Sequence, residues 1–365
     1  MIYTACRKTT LNKRLYNSLK KRRRKMKKLL TVLLVLCVVM TAVFAQAAAE
    51  TAKFPTKDIT LIVPWGAGGS SDLVGRRVTD EMAKIFGVNI SVVNTPGATG
   101  TVGMTDCLLK PHDGYTLIAN ATPHTHYVNG LADWSPKDWD FLAAYYVPCV
   151  IAVQKDSKYK TFNDLYDALK SNPANTIKNS VAGIGSSGYN AVMVLSATDK
   201  VMGKGLNTPY AGGADAIKAL LAGEVDFTSQ LSNEMIDLLR SGDLVALCSL
   251  TSDDLVLDGV KDPIPSIKKF IPELEKSLPI GDAFGLMFPS DVPDATKAIL
   301  EDAFVKACKT DSVKAFANEK GMVLLGANIA ESNKLKDDAA VAIGYVLWDL
   351  GIAKHSPADK GYQRP

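Results

Sequence analysis

Short apolar runs alternate with amphipathic stretches along most of the chain. KDITLIVPW (57–65) and VNISVVN (88–94) have the β-branched, apolar character of strands, whereas SSDLVGRRVTDEMAKIFG (70–87) and TGTVGMTDCLLK (99–110) have helical periodicity. The same alternation resumes after residue 160 and continues to about residue 250. Repeated strand–helix units are typical of parallel sheets covered by helices on both faces, so the pattern predicts an α/β fold.

Two apolar, extended passages interrupt this alternation, VPCVIAV (147–153) and SLPIGDAFGLMFP (277–289). We interpret them as two crossings between domains, because roughly 316 residues after the N-terminal segment exceed what one hydrophobic core usually serves. Domain 1 is then predicted to comprise residues 50–151 and 280–365, and domain 2 residues 152–279. Helical patterns near 293–309 and 330–350 would return to domain 1.

The N-terminus has the pattern of an export signal. Residues 1–28 contain twelve Lys or Arg and no acid, and an uncharged apolar run at 29–44 is followed by AQAAA. Because this run is shorter than the roughly 20 residues that span a bilayer, we interpret residues 1–49 as a signal peptide cleaved near Ala45–Ala47, with an uncleaved anchor as the alternative. Met26–Lys28 already supplies a basic start, so residues 1–25 are interpreted as an upstream mis-start. The expected location is periplasmic or otherwise extracytoplasmic.

Export changes the charge of the working protein. Residues 50–365 carry 30 basic and 38 acidic residues, so the net charge of +4 for the whole chain becomes −8. A basic footprint for nucleic acid is therefore not expected. Residues 50–365 contain four of the six cysteines of the chain, widely spaced and too few for a disulfide scaffold. Either one bridge or four buried free thiols would fit Cys107, Cys149, Cys248 and Cys308, and the spacing favours the free thiols.

Four turns rich in glycine, serine and threonine lie between predicted strands and helices. They read PWGAGGSSD (64–72), VNTPGATGTVG (93–103), VAGIGSSGYNA (181–191) and TPYAGGADA (208–216). In a parallel α/β sheet such a turn directs the first N–H groups of the helix into a crevice at the carboxyl end of the strands. The helix dipole makes that position favourable for an anion. With two turns in each domain, we expect them to face each other across a cleft; simple helix capping by the serines is the structural alternative.

Several sharper chemistries do not match the spacing. GIGSSG (183–188) fits the dinucleotide pattern G-x-G-x-x-G, but the acid expected about 20 residues later is missing. No G-x-S-x-G nucleophile elbow surrounds Ser186 or Ser187. His124 and His126 would share one strand face and could ligate a metal with a third group, or simply line the cleft. Backbone and hydroxyl donors are expected to hold an anion, because the exported part has only four arginines, Arg76, Arg77, Arg240 and Arg364.

The order of several motifs resembles one family. IVPWGAGGSSDLVGR, NTPGATG, DGYTL, GIGSSG, PYAGGADAIKALLAGEVDF and RSGDLVAL follow one another as in the solute-binding receptors of the tripartite tricarboxylate transporter family, the TctC or Bug type, from about residue 55 to 325. The resemblance implies a type II periplasmic-binding-protein fold, in which two doubly wound α/β domains enclose a small carboxylate in the cleft between them. It also implies delivery to a membrane transporter without catalysis or cofactor. An exported sensor-type binding domain or an enzyme on the same fold is the alternative.

The resemblance also implies partners and a site. The expected partners are the transporter subunits and a small carboxylate, whether a di- or tricarboxylate, an amino acid or an aromatic acid, and we expect a monomer. The family holds its carboxylate through the turns that match residues 66–72, 97–100 and 185–188. The candidate ligand-binding residues are Trp65, Gly66, Ala67, Gly68, Gly69, Ser70, Ser71, Asp72, Gly97, Ala98, Thr99, Thr122, His124, Gly185, Ser186, Ser187, Tyr189, Tyr210 and Gln230.

Two of these residues have a second interpretation, and three positions depart from the family pattern. Asp72 and Arg76 are spaced i, i+4 and could form an ordinary helix ion pair, while Trp65 could pack in a hinge or core instead of forming an apolar wall. Ala211 stands where family members usually have a lysine, Gln230 where an acid is expected, and Tyr189 near a frequent histidine. These departures leave the identity of the carboxylate open.

Overall fold

The computed structural model describes residues 54–364. The predicted signal peptide, its cleavage site and the suspected mis-start lie outside these residues. From Pro55 onward the described residues belong to one structural unit.

A first group of strands begins the described chain. β1 (Ile59–Val63) lies between β2 (Ile90–Asn94) and β3 (Thr116–Ala121), and both pairs are parallel. α1 (Ser70–Phe86) connects β1 to β2, and α2 (Thr101–Leu108) connects β2 to β3. The strands and helices predicted for this part of the chain are confirmed.

Two long antiparallel strands extend this group. β4 (Trp139–Gln154) pairs with β9 (Gly281–Pro289), β9 pairs in turn with β3, and the short β10 (Val323–Leu324) also pairs with β4. The sheet is therefore mixed: the strands of the alternating units are parallel, and the two extended passages add antiparallel pairs. The physical reason is that the chain leaves along β4 and returns along β9, so these strands run in opposite directions.

A second group of strands lies between these two passages in the sequence. β5 (Lys178–Val181) pairs in parallel with both β6 (Leu206–Pro209) and β7 (Phe227–Leu231). β7 and β8 (Leu244–Ser249) pair in antiparallel fashion with β4. The helices of this group are α3 (Phe162–Ser171), α4 (Ser187–Thr198), α5 (Gly213–Leu221) and α6 (Ser232–Ser241).

β4 belongs to both groups of strands. Its first part, from Trp139 to Pro148, pairs with β9, and its second part, from Cys149 to Gln154, pairs with β7 and β8. The strands consequently form one hydrogen-bonded path in the order β2-β1-β3-β9-β4-β7-β5-β6. The two passages interpreted as crossings are thus neighbouring strands, residues 147–153 within β4 and residues 281–289 as β9.

Each group of strands has its own apolar core. In the first group Ile62, Ile118, Phe141 and Met287 pack with Met104 of α2. A separate cluster in the second group contains Val150, Ile217, Leu220, Met235, Ile236 and Leu239.

Three helices follow β9: α7 (Asp294–Cys308), α8 (Asp311–Lys320) and α9 (Ile329–Asp349). α7 and α9 confirm the helices predicted near 293–309 and 330–350, and α7 packs on α1. Short 3₁₀ turns occupy Ala98–Gly100, Pro136–Asp138, Met202–Lys204, Ile267–Lys269, Pro272–Ser277 and Pro357–Lys360.

Two glycines help to define α1, one within the helix and one at its end. Gly75 permits a close approach to β3, because a Cβ at this position would lie 2.5 Å from the Cβ of Ala119. The helix ends at Gly87, as predicted, with a left-handed φ of 68° that favours glycine. Its start follows the turn at the carboxyl end of β1, the edge at which parallel α/β sheets bind ligands.

Two further expectations concern the described residues as a whole. Between residues 54 and 364, no helix combines the length and the apolar character needed to cross a bilayer. Cys107, Cys149, Cys248 and Cys308 are buried and free, which confirms the interpretation of four buried thiols.

Candidate functional site

The four predicted turns surround one cavity of about 430 Å³. They contribute residues 65–71 except 68, Pro96 and Thr99, Ala182 with residues 185–187, and residues 211–215. The ends of β3, β7 and β9 and their neighbours complete the wall with Asn120, Ala121, Thr122, His124, Thr125, His126, Lys218, Gln230, Leu231, Glu234, Asp282 and Phe284.

Most of the predicted ligand-binding residues come together at this cavity. The structure places on its wall Trp65, Gly66, Ala67, Gly69, Ser70, Ser71, Thr99, Thr122, His124, Gly185, Ser186, Ser187 and Gln230. It places six others away from the wall, namely Gly68, Asp72, Gly97, Ala98, Tyr189 and Tyr210.

The turn after β1 brings the start of α1 to the cavity. Gly68 has a φ of 83°, a conformation that side chains rarely adopt, and Gly69 precedes the helix without a side-chain cap. The first N–H groups of an α-helix have no partner within the helix. They are therefore available to an acceptor on the other side of the cavity.

Asp72 lies behind this turn and supports it. Its side chain is only 5% exposed and accepts hydrogen bonds from Gly68 N–H at 2.9 Å, Asn94 Nδ2 at 3.0 Å and Arg76 Nε at 2.9 Å. Burial raises the pKa of this carboxyl group, but the hydrogen bonds outweigh burial and hold the pKa below its usual value. The predicted ion pair with Arg76 is present. Asp72 does not line the cavity itself but holds the turn that does, by accepting from Gly68 N–H.

Trp65 and Asn120 form one side of the cavity. Trp65 Nε1 donates to Asn120 Oδ1 at 2.8 Å, and Ser71 Oγ donates to the same oxygen at 3.3 Å. Asn94 Nδ2 holds the backbone of Trp65 by donating to its carbonyl oxygen at 3.1 Å. Trp65 therefore stands on the cavity wall with a fixed orientation.

The turn after β2 reaches the second group of strands. Ala98 and Thr99 have φ values of 45° and 56°, which are rare for residues other than glycine. Thr99 Oγ1 donates to the carbonyl oxygen of Ile184 at 3.3 Å, and the Thr99 carbonyl oxygen lies 2.9 Å from His126 Nε2. Such strained conformations persist where surrounding contacts hold them, as these contacts do.

The turn after β5 places the start of α4 at the cavity. Gly183 and Gly185 have φ values of 135° and 87°. Ser186 caps α4, since its Oγ accepts a hydrogen bond from Tyr189 N–H at 3.3 Å. The capping role that the sequence left as an alternative is thus present, and Ser186 also lines the cavity.

A polar network links β3, β9 and α4 beside the cavity. Thr122 Oγ1 and Ser187 Oγ each donate to a different oxygen of Asp282, both at 2.5 Å. His124 Nδ1 lies 2.8 Å from Thr122 Oγ1, and His124 Nε2 lies 3.1 Å from Asn190 Nδ2. Because an amide NH₂ group can only donate, His124 Nε2 accepts and Nδ1 carries the proton.

His126 belongs to a different set of contacts and is uncharged at neutral pH. Burial lowers its pKa to about 4. Its ring packs against Trp134 with a centroid distance of 4.9 Å. In the part of the chain that the structure describes, no group of three or more His, Cys, Asp or Glu side chains could hold a metal ion.

At the start of α1, Ser70 contacts Glu234, an acid from the second group of strands. Ser70 Oγ donates to Glu234 Oε1 at 2.9 Å, and the Ser70 N–H donates to the same carboxylate. Burial raises the pKa of Glu234 above its usual value, although both hydrogen bonds from Ser70 oppose the shift. Asn233 Nδ2 also donates to Ser70 Oγ at 3.0 Å.

Tyr189 and Tyr210 turn away from the cavity for separate reasons. Tyr189 packs against a cluster that includes Val128, Val192 and Leu347. Tyr210 packs against the core of the second group of strands, and its hydroxyl donates to Glu224 at 3.3 Å. Both residues adjoin a turn in the sequence, but their side chains point to apolar surroundings.

Asn120, Glu234 and Asp282 are wall residues that sequence reasoning missed. Asp282 had a visible signal, because it is the only acid in the apolar passage 277–289. Glu234 lies in the first turn of α6, which begins directly after β7. That junction has no glycine, so the pattern of glycine-rich turns does not identify it.

Cations contribute little to the wall. The side chain of Lys218 is 75% exposed and pairs with Asp215 at 3.2 Å. Between residues 54 and 364, no arginine lines the cavity. Polar groups at the cavity are therefore mainly backbone groups, hydroxyls, amides, acids and the rings of Trp65, His124 and His126.

Comparison with known proteins gives a consistent result. A sequence profile described as the tripartite tricarboxylate transporter family receptor matches residues 74–352. A UPF0065 protein of Bordetella pertussis is 25% identical over 319 residues, which cover 85% of this chain and 94% of that protein. A UPF0065 protein from the tcbD-tcbE intergenic region of Pseudomonas sp. (strain P51) is 30% identical over 205 residues. That match covers 52% of this chain, and the chain spans 58% of the length of this relative.

A solved structure shows the same architecture. MatC of Rhodopseudomonas palustris, solved with bound malate, is 25% identical and superposes with a TM-score of 0.71. The superposition covers 80% of this chain and all of the MatC chain. The predicted α/β fold of a periplasmic binding protein is confirmed.

Proposed function

Because the chain belongs to the tripartite tricarboxylate transporter receptor family, we propose that it is an exported receptor that captures a small organic carboxylate and delivers it to a membrane transporter of the tripartite tricarboxylate type. Solute binding is common to this family. The class of ligand, the delivery step and the residues in contact with the ligand are the parts that we propose.

The observation that carries the proposal is the convergence of helix starts on one cavity. α1, α4 and α5 begin at Ser70, Ser187 and Gly213, and all three residues line the wall. A helix start has N–H groups without a partner in the helix itself, together with the positive end of the helix dipole, so it stabilises an anion without an arginine. The malate bound to MatC, which is itself a small carboxylate, supports the same class of ligand.

The proposed contacts are the predicted residues that line the cavity. They come from residues 65–71 except 68, from Thr99, Thr122 and His124, from residues 185–187 and from Gln230. Gly68 and Asp72 would act from behind by fixing the first turn. We include no catalytic step, because the wall serines Ser70 and Ser187 donate to carboxylates and not to a histidine.

The two domains predicted from the sequence, residues 50–151 with 280–365 and residues 152–279, would form two lobes around this cavity. Hydrogen bonds cross it from Thr99 to Ile184 and from Ser70 to Glu234. A ligand that contacts both lobes would stabilise their closed arrangement to the extent that it binds that arrangement better.

Mass spectrometry of ligand retained by gently purified protein, followed by calorimetric titration of the identified compound, tests the proposal. Ser186→Ala is expected to weaken binding about ten- to a hundredfold, the usual effect of losing one hydrogen bond to a charged ligand. Thr310→Ala is the matched control, because Thr310 caps α8 as Ser186 caps α4 but does not line the cavity. Both variants should lose some stability, and only Ser186→Ala should lose affinity.

Two results would contradict the proposal. One is wild-type protein that binds no small carboxylate, and the other is equal affinity in Ser186→Ala and Thr310→Ala. The delivery step is tested separately: deletion of the gene should abolish uptake of the identified carboxylate by the cells.

A further inference from the structure

The carboxylate of Glu234 occupies the position where two helix starts would attract an anion. Both the N–H and the Oγ of Ser70, at the start of α1, donate to it. The same carboxylate lies against the start of α5, because a Cβ on Gly213 would come within 1.7 Å of Glu234 Oε2. The protein thus supplies its own acid where helix dipoles favour a negative charge.

One oxygen of this acid has no partner. Glu234 Oε1 accepts from Ser70 Oγ, whereas Glu234 Oε2 is buried and accepts no hydrogen bond from the protein. A buried acceptor without a donor is costly. A ligand that brings a donor to Oε2 would remove this cost.

A buried donor on the same wall also lacks a partner. Gln230 is 1% exposed, and its Nε2 makes no hydrogen bond to the protein. Its Oε1 lies beside the start of α4, 3.5 Å from the place of a Cβ on Gly188. His126 Nδ1 is the third unpaired buried side-chain atom of the described wall, and this imidazole is uncharged.

The fixed charges of the wall are predominantly negative. Asp282 is 4% exposed and already accepts from Thr122 and Ser187. Glu234 adds a second acid, while Lys218 is largely exposed and engaged with Asp215. A ligand with a carboxylate at both ends would place two negative charges near the buried acids Glu234 and Asp282. In the described wall no lysine or arginine is buried beside these acids, and the His124 ring lies 3.6 Å from Asp282.

We propose that Glu234 makes the cavity selective for a ligand with one carboxylate and one ammonium group. The ammonium group donates to the free Oε2 of Glu234, and the carboxylate accepts from Nε2 of Gln230. This inference rests on the proposed function as a carboxylate receptor and narrows its substrate to the amino-carboxylate class. Ligands with two carboxylates of the same chain length are disfavoured.

Pairs of probes that differ only in one end group test this selectivity. Suitable pairs are succinate with β-alanine, glutarate with 4-aminobutanoate and adipate with 5-aminopentanoate, and the neutral L-α-amino acids extend the amino-carboxylate set. Calorimetric titration of the wild-type protein is expected to show the tightest amino-carboxylate binding at least about tenfold better than the tightest dicarboxylate, the effect of about one charge-assisted hydrogen bond.

Glu234→Gln keeps the size of the side chain and removes its charge. It is expected to weaken amino-carboxylate binding about tenfold or more and to leave dicarboxylate binding unchanged or improved. Glu224→Gln is the control, because Glu224 is exposed, belongs to the same group of strands and does not line the cavity. Should Glu234→Gln not fold, Glu234→Asp retains the charge with a shorter reach and is expected to reduce the preference.

The outcomes separate this inference from the proposed function. Tighter binding of a dicarboxylate by the wild-type protein, or an unchanged preference in Glu234→Gln, overturns the role of Glu234 and leaves a carboxylate receptor in place. If no probe of either class binds the wild-type protein, the inference is overturned, and the proposed function is then decided by the compound that mass spectrometry finds on gently purified protein.

Discussion

Replacement of Asp72 by asparagine tests how the first turn is supported. The buried carboxylate accepts hydrogen bonds from Gly68 N–H, Asn94 Nδ2 and Arg76 Nε. An asparagine keeps one acceptor oxygen, but its NH₂ group faces one of these donors, so a buried donor loses its partner. One hydrogen bond to a charged group contributes about 1.5–3 kcal/mol. The ion pair with the half-exposed Arg76 adds only about 0.3 kcal/mol. We expect the free energy of unfolding to fall by about 2 kcal/mol.

Urea unfolding at pH 7 measures this loss, with Asp80→Asn as the control. Asp80 is exposed on the same helix, so its replacement should change the free energy of unfolding by less than about 0.5 kcal/mol. The folded-state pKa of Asp72 lies below its ordinary value of 3.8, so its contribution is present above that value and is lost as the pH falls through the folded-state pKa. The stabilities of wild type and Asp72→Asn should therefore converge in acid. Equal stability of the two proteins at pH 7 would refute the supporting role.

Four further predictions follow from the structure and the sequence. Gly68→Val should impair ligand binding in calorimetric titration. Gly87→Val is the control and should affect only stability, because Gly87 has the same left-handed backbone and equally open space at the other end of α1. Equal affinities in the two variants would contradict a role of the turn at residues 66–69 in ligand binding. Burial lowers the pKa of His126 to about 4 from an ordinary 6.5, so between these pH values the unfolded chain binds one proton more than the folded protein. The free energy of unfolding should therefore rise by roughly 2–4 kcal/mol from pH 4 to pH 6.5. Urea unfolding of His126→Gln should no longer show this rise, and a rise that persists would show that another residue causes it. A bound ligand should reduce the radius of gyration in small-angle scattering, and no change at saturation would contradict the hinge between lobes. N-terminal sequencing of exported protein should find a start between Gln46 and Glu50, and an intact N-terminus would contradict cleavage.

Local patterns in the sequence were sufficient for the alternating elements. β1, α1 and β2 are short apolar or amphipathic segments bounded by glycine or polar residues. The periodicity and the end residues of such segments are sufficient to predict a strand or a helix. The direction of β4 and β9 was not predictable in this way. Trp139 faces Pro289 across the sheet, and pairing between residues so far apart in the chain leaves no periodic signal in either segment.

The candidate site was predictable where backbone conformation matters and not where contacts cross the cavity. Glycine turns are visible in the sequence, so most of the wall at residues 65–71 and 185–187 could be predicted. The positions of Glu234 and Asp282 depend on Ser70 and Ser187 from the opposite group of strands. Only the folded structure brings these distant residues within hydrogen-bonding distance.

The pairing of β4 with β9 also determines the order in which the chain can fold. Every strand of the second group, including its part of β4, has been synthesised by Ser249, whereas the first group lacks β9 until Pro289. β9 lies between β3 and β4, so the first group of strands cannot be completed until the residues of β9 have been synthesised. Contacts between such distant segments also form slowly, because a long loop must be ordered first. If the proposed export takes the chain across the membrane unfolded, the late pairing of β9 would favour it, because the first group of strands cannot be completed before Pro289 has been made.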